Sequence, residues 1–534
     1  METHCSYISY EQTGYFSKLI IDYLNNEKAL QPFYNFHPQS ENVEAAINQR
    51  KNFAHREILV EELQKQYQDI KLSAKVSGNI QSLSSDNTFT ITTAHQPNIF
   101  TGPLYVVYKI FHVIKIAEEL KQKFPQYNFV PVYFMGSEDA DLDELNNITV
   151  NGRKYLWQTN QTGAVGRMKV DKALIQLMNE LEGQLSVSPR GNELMEIFRA
   201  SYKEKINIQQ ATLHLLNALF GEYGLVVLIP DNAALKKVFH PIIQKELTEQ
   251  FSHKAVTDIT KKLGEHYKVQ ASGREINLFY LIDDKRERIE FENSKYKIQN
   301  IKIEWSVDEI LKELDEHPER FSPNVILRGA FQETILPNII FVGGGGELAY
   351  WLELKEVFAQ AKIPYPMLVL RNSFLFIEKK IADKISQLEF TDADLFKDEN
   401  ELMKQFTQKH SDNKTSLNGE FSEAENLYDL ISGFASKIDK TLVQHIEALK
   451  KKTVKGLSEL EKKMLRAEKK KFVTEQAQIH KIKSFLFPGN SLQERIENFS
   501  IFYSVYGQNF FEDVSLYSQG FNQQFCIVSK NKEN

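Results

Sequence analysis

Apolar positions recur three and four apart in the first 75 residues, as Phe16, Leu19, Ile20 and Tyr23 and again as Ile58, Leu59, Leu63 and Tyr67. This spacing predicts helices that form an N-terminal cover. A β-branched run, Thr88–Thr93, leads through the polar loop 94–102 into a stripe of Leu104, Val107, Tyr108, Phe111 and Ile114. It reads as strand, loop and helix, with Pro103 at the first helical position, where the amide has no intrahelical partner to lose. A second apolar strand over 129–135 completes a unit of βαβ length, and such units build parallel sheets. A helix-like stretch at 208–222 precedes a third strand, Leu225–Ile229, and further strands are expected at Asn324–Leu327 and Pro366–Leu370.

Between the strands lie a helical stretch near 170–205 and an antiparallel patch, Leu278–Ile282, Arg288–Phe291 and Tyr296–Ile301, whose alternation implies one exposed face. From about 376 to 487 Glu, Lys, Gln and Leu dominate, and Leu457, Leu460, Met464 and Ala467 alternate three and four apart like a coiled-coil seam. The expected class is α/β. A parallel-sheet core over 1–375 carries insertions at about 150–215 and 235–320, followed by a helical coiled coil over 376–487 and an aromatic-rich tail over 488–534 that returns to the core.

Composition narrows the function. With 42% hydrophobic and 25% charged residues the chain is that of a folded globular protein, and a net charge of -6 gives no global attraction for nucleic acid or acidic membrane. The lysines at 450–452 and 469–471 are interspersed with Glu459, Glu461 and Glu468 and lack interleaved aromatics, so a solvated coiled-coil face is favoured over a nucleic-acid surface. No apolar run approaches the ~18–20 residues that span a bilayer, and no leader-like segment opens the chain. Cys5 and Cys526, one near each terminus, offer neither a disulfide framework nor a zinc site, so a reducing cytoplasm is expected.

Four strand-end segments carry candidate chemistry. His95-Gln96-Pro97-Asn98 falls beyond a strand's C-terminus, where open α/β sheets bind ligands, and faces a helix N-terminus suited to an anion. The same loop also reads as a plain turn whose amides serve the backbone. Glu138, Asp139, Asp141, Asp143 and Glu144 follow the second strand and would hold a metal-nucleotide, an amine or sugar hydroxyls; acids at a helix start are the plainer alternative. Four glycines, Gly343–Gly346, precede Glu347, where a helix is expected to begin, and this backbone suits close approach of a ligand or of packed side chains. The run is neither a P-loop nor a dinucleotide fingerprint. Arg371-Asn372-Ser373 puts a guanidinium and two hydrogen-bonding groups at another strand end, and Arg328 and Gln332 follow a further one; each arginine suits an anion or an ordinary ion pair equally.

Taken in order, Thr93–Tyr105, Gly136–Glu144, Gly346–Leu354 and Pro366–Ser373 resemble the cysteine-adding (BshC) family of bacillithiol biosynthesis, and the likeness extends over essentially the whole chain. The resemblance implies a Rossmann-like core similar to class I aminoacyl-tRNA synthetases, connecting-peptide insertions and a coiled coil that forms a homodimer. It implies a ligase that joins cysteine to glucosaminyl-malate through an amide. An activated cysteine then requires ATP, with Mg²⁺ as its companion ion, and no structural metal. Where those synthetases carry His-x-Gly-His, this chain has Asn98 at the second His, and it has no Lys-Met-Ser-Lys-Ser signature. Together the residues and the resemblance nominate His95, Asn98, Glu138, Asp139 and Asp141 for catalysis. They nominate Gln96, Gly102, Tyr105, Arg328, Gln332, Gly344, Gly345, Gly346, Glu347, Tyr350, Arg371, Asn372 and Ser373 for binding substrate or nucleotide. The alternatives are another Rossmann-type nucleotidyl transferase or amino-acid ligase, or a metabolite-binding scaffold without turnover.

Overall fold

A computed structural model describes residues 3–270 and 273–530. Contacts divide the chain into two units, one of Tyr7–Leu375 with Leu492–Cys526, the other of Phe376–Ser491 with a few residues from each chain end.

The first unit is built on a five-stranded parallel sheet of β1 (Thr88–His95), β2 (Asn128–Met135), β3 (Val226–Leu228), β4 (Asn338–Gly343) and β5 (Met367–Leu370). Its spatial order is 3-2-1-4-5, so the chain reverses direction across the sheet between β1 and β4. The strands are almost wholly buried, and β-branched and apolar residues fill them because helices cover both faces. Helix α1 (Tyr105–Lys123) crosses from β1 to β2. Pro103 lies two residues ahead of it rather than at its first position.

Two expectations fail. Asn324–Leu327 is not a strand: Asn324 accepts from the Ile326 amide and starts helix α2 (Val325–Ile335). The strand of this region is β4, slightly later, between β1 and β5. The N-terminal cover is helical from Tyr10 onward, but Thr3–Ser9 is a strand in a three-stranded sheet with Gln524–Lys530 and Phe374–Ile377. The antiparallel patch forms as Leu278–Ile282, Lys285–Glu292 and Lys295–Ile298, extended by short strands at both edges.

The second unit is helical between Lys379 and Leu486, in five α-helices and one 3-10 turn. Its longest two, α4 (Asn418–Ile438) and α5 (Leu442–Lys469), fold back on each other as an antiparallel hairpin. Tyr428 meets Thr453 at 2.8 Å, Lys450 meets Asp429 at 2.7 Å, and Glu461 accepts from the Leu417 amide. Of the expected seam, Leu457 and Met464 are half-buried, whereas Ala467 is exposed and Leu460 is 49% exposed.

Candidate active site

In a sheet of this order the reversal between β1 and β4 leaves a crevice beyond their C-terminal ends. His95 ends β1 there. Its Nε2 lies 2.9 Å from the Tyr105 hydroxyl, and the two rings stack with centroids 5.4 Å apart. Burial holds the imidazole pKa well below the usual histidine range, and the Lys109 charge lowers it further. At neutral pH His95 is therefore an uncharged ring and a weak base, not a cation that neutralises phosphate. The chain then turns through Phe100, Thr101 and Gly102 with φ of 51°, 72° and 66°, a left-handed run that delivers Tyr105 back over His95. A Cβ on Gly102 would stand 2.7 Å from that of Asn98, so this glycine shapes the turn.

Lys109, one turn along α1, is 1% exposed and donates to the Ala94 carbonyl at 2.6 Å and to Glu347 at 2.7 Å. Glu347 also accepts from the Gly344 amide, capping helix α3 (Gly345–Leu352) with the protein's own carboxylate. None of Gly343–Gly346 has a positive φ. Gly343 is small because a Cβ would reach 2.8 Å from Leu348 and Phe341, whereas Gly346 faces open space. On the facing strand end Arg371 is 3% exposed, paired with Glu494 at 2.7 Å, and its guanidinium lies 5.0 Å from the Tyr105 ring centre. It is thus already matched by a carboxylate from the returning tail.

Beyond β2 the acids are engaged too. Glu138 is buried against Lys236, and Ser322 donates to it at 3.1 Å. Burial raises its pKa against the pull of Lys236. Asp139 accepts from Gln96 at 3.1 Å and sits 3.5 Å from Arg328. Burial pushes Asp139 up, but Arg328 and Arg286 outweigh it and hold the carboxyl below its ordinary value. The Arg328 charge is in turn favoured by the neighbouring Tyr350. A small cavity here is lined by Ser137, Glu138, Asp139, Arg286 and Arg328, and the buried Ser137 hydroxyl has no partner. Among the described residues no group of three or more His, Cys, Asp or Glu side chains is placed to hold a metal ion, and with Glu138 and Asp139 paired to cations a protein-held Mg²⁺ does not fit.

The fold therefore brings His95, Gln96, Tyr105, Asp139, Arg328, Gly344, Glu347, Tyr350 and Arg371 to one edge, with Gly345 and Gly346 on its open side and Glu138 behind. Other candidates fall elsewhere. Asp141 is exposed and makes no side-chain cap bond. Gln332 is buried in a separate network with Glu333 and Asn338. Asn98 donates to the Glu144 carbonyl, supporting the loop. Asn372 and Ser373 are buried, held by His112, the Gln519 amide and Arg371. Lys109, Arg286, Lys236, Glu494 and Asn498 escaped sequence reading. Lys109 is masked by the apolar stripe around it, and the others depend on partners distant in the chain.

Fold and crevice define a Rossmann-type α/β protein with a polar, charge-paired site at its topological switch point. Residues 1–372 match "Bacillithiol biosynthesis BshC, N-terminal Rossmann-like domain" and residues 374–530 match "Bacillithiol biosynthesis BshC, C-terminal coiled-coil domain". The chain belongs to this BshC family. A relative from Flavobacterium johnsoniae named "Putative cysteine ligase BshC" is 43% identical over 95% of this chain and 96% of its own. Relatives of the same name from Christiangramia forsetii and Bacillus cereus are 39% and 24% identical, over 100% of both chains and over 95% and 96% respectively. A structure titled as an arginyl-tRNA synthetase from Campylobacter jejuni matches at 10% identity, covering 84% of this chain and 99% of that one, with a TM-score of 0.21, too low to carry an argument.

Proposed function

We propose that this protein is a ligase that joins the carboxyl of cysteine to the amino group of glucosaminyl-malate, giving bacillithiol, with ATP supplying the activation. The observation that carries the reading is the neutral His95 at the switch point, backed by Tyr105 and flanked by buried charge pairs, in a chain of the BshC family. Amide formation from a free carboxylate is uphill in water, so ATP must first convert that carboxylate into an acyl adenylate or acyl phosphate. The sugar amine then attacks the carbonyl carbon, the C–O bond to AMP or phosphate breaks, and His95, a weak base held neutral by burial, takes the amine proton as the amide forms.

The unpaired first-turn amides of α3, beside the open side of Gly346, suit the phosphate of the activated acyl group. Asp139 suits an ammonium. Arg371 is committed to Glu494, so the exposed Arg495, whose charge reaches Tyr105, is the better cation for the malyl carboxylates. Mg²⁺ would arrive with the nucleotide. We place the reaction in the cytoplasm; no described helix is long and apolar enough to cross a membrane. The protein acts as a homodimer through the α4–α5 hairpin, where Leu430, Phe434 and Ile438 of α4 are 62%, 65% and 82% exposed.

Purified protein mixed with cysteine, glucosaminyl-malate and Mg-ATP should form bacillithiol, read by mass spectrometry, and should not when ATP is omitted. Product with the nucleotide absent, or no product with active controls, rejects the reading. His95→Ala should slow turnover roughly 10²–10⁴-fold; unchanged turnover removes His95 from this role.

A further inference from the structure

We propose that Glu494 and Asn498, in the short segment where the chain re-enters the first unit, are positioning residues of the catalytic crevice. The inference rests on the ligase reading for its kinetic arm only. The segment crosses both walls of the crevice. On one wall the Glu494 carboxylate, 0% exposed, accepts from Arg371 at 2.7 Å and from the Phe374 amide at 3.2 Å, fixing the guanidinium that lies over Tyr105. On the other wall the Asn498 amide, also 0% exposed, donates to the carbonyls of Phe100 at 2.9 Å and Gly102 at 2.5 Å. The Glu497 carbonyl accepts from the Leu104 amide at 2.7 Å.

These bonds fall on the part of the loop least able to hold itself. Phe100 and Thr101 are non-glycine residues in left-handed backbone, a conformation that costs about 1 kcal/mol or more each and persists only where surroundings over-determine it. Asn498 supplies two of the bonds that do so, beside the one the Phe100 amide gives the Tyr202 hydroxyl, and Phe100 and Gly102 stand between His95 and the Tyr105 that pairs with it. Loss of either clamp therefore displaces Tyr105 relative to His95: Asn498 through the turn, Glu494 through the guanidinium over the ring. Neither residue touches the reacting atoms. They act on kcat through geometry. The match to the coiled-coil domain of the family covers 374–530, so the segment that completes the crevice lies within the part of the sequence matched to the helical domain.

The test compares wild type with Glu494→Gln and Asn498→Ala in the full chain. Expected is a kcat at least tenfold lower with KM for cysteine and ATP changed less than threefold, and for Glu494→Gln an acid limb of the pH–rate profile displaced, because the uncompensated Arg371 charge acts on His95. Glu494→Asp, which keeps the charge, should recover part of the loss. Variants with kcat within twofold of wild type and an unmoved acid limb overturn the proposal, even if their melting temperature falls. Hydrogen exchange on the unmodified protein decides the matter if a variant fails to fold or if wild type shows no ligase turnover, the result that would sink the functional reading alone. Amides at 99–106 should exchange together with those at 492–500; exchange at 99–106 more than tenfold faster overturns the positioning role.

Discussion

At the C-terminal edge of the core sheet, charged side chains are buried: Lys109, Arg371 and Glu494 are 1%, 3% and 0% exposed. Along the α4–α5 hairpin the reverse holds, and Leu430, Phe434 and Ile438 stand in solvent while the ion pairs lie outside. Both arrangements cost free energy in an isolated chain, because desolvated charge and hydrated apolar surface are each unfavourable. The crevice offsets its cost internally, by matching Lys109 with Glu347 and Arg371 with Glu494. The hairpin has no internal remedy, which is why we assign its apolar face to a second copy of the chain.

The sharpest way to break the contrast is to unpair the crevice. Arg371→Ala leaves Glu494 buried without its cation and should lose about 3–5 kcal/mol of stability in urea unfolding. Arg371→Met combined with Glu494→Leu should regain much of that stability yet stay inactive; a double variant as unstable as the single one means the pair does not govern stability. Acid offers a gentler probe. His112 is 0% exposed, its Nε2 bonds the Gly520 carbonyl at 2.7 Å and its Nδ1 accepts from the Asn372 amide, and burial lowers its pKa to about 4. Below about pH 6.5 the unfolded chain binds a proton that the folded protein refuses, so this contribution to stability is lost as pH falls, by up to about 3 kcal/mol near pH 4. Thermal unfolding of His112→Gln between pH 4 and 7 should show a flatter profile, and an unchanged slope assigns the acid sensitivity elsewhere.

On the hairpin, Phe434→Asp should weaken self-association by about 1.5–3 kcal/mol, an order of magnitude or more in Kd by sedimentation, without loss of helix. A monomeric wild type removes the proposed dimer. The smallest effect is expected at Lys450→Ala, whose partner Asp429 is exposed, so solvent screens the pair and the urea-unfolding midpoint should not move measurably.

How much of this was legible follows from how local each signal is. Thr88–Thr93, Phe129–Met135 and Pro366–Leu370 carry their strand character in short buried runs, and His95 and Asp139 follow those runs directly. The run Val325-Ile326-Leu327 misleads because three apolar residues fit either a strand or a helix, and Asn324 as a cap decides for the helix. β4 is hard to recognise because the glycines that end it resemble a ligand loop, whereas Gly343 mainly makes room for Leu348 and Phe341. Thr3–Ser9 and Glu494 gain their roles from partners hundreds of residues or more than a hundred residues away, and no window along the chain contains both members.

The bond from Asn498 to the Phe100 carbonyl joins residues 398 apart, which has a consequence for how the protein is made. On a ribosome adding roughly 5–20 residues per second, about 20–80 s separate the emergence of the two. Throughout that interval the turn after His95 must wait on the nascent chain without its clamp, so a chain ending between Leu370 and Asn498 holds all five core strands but not the residue that finishes the crevice.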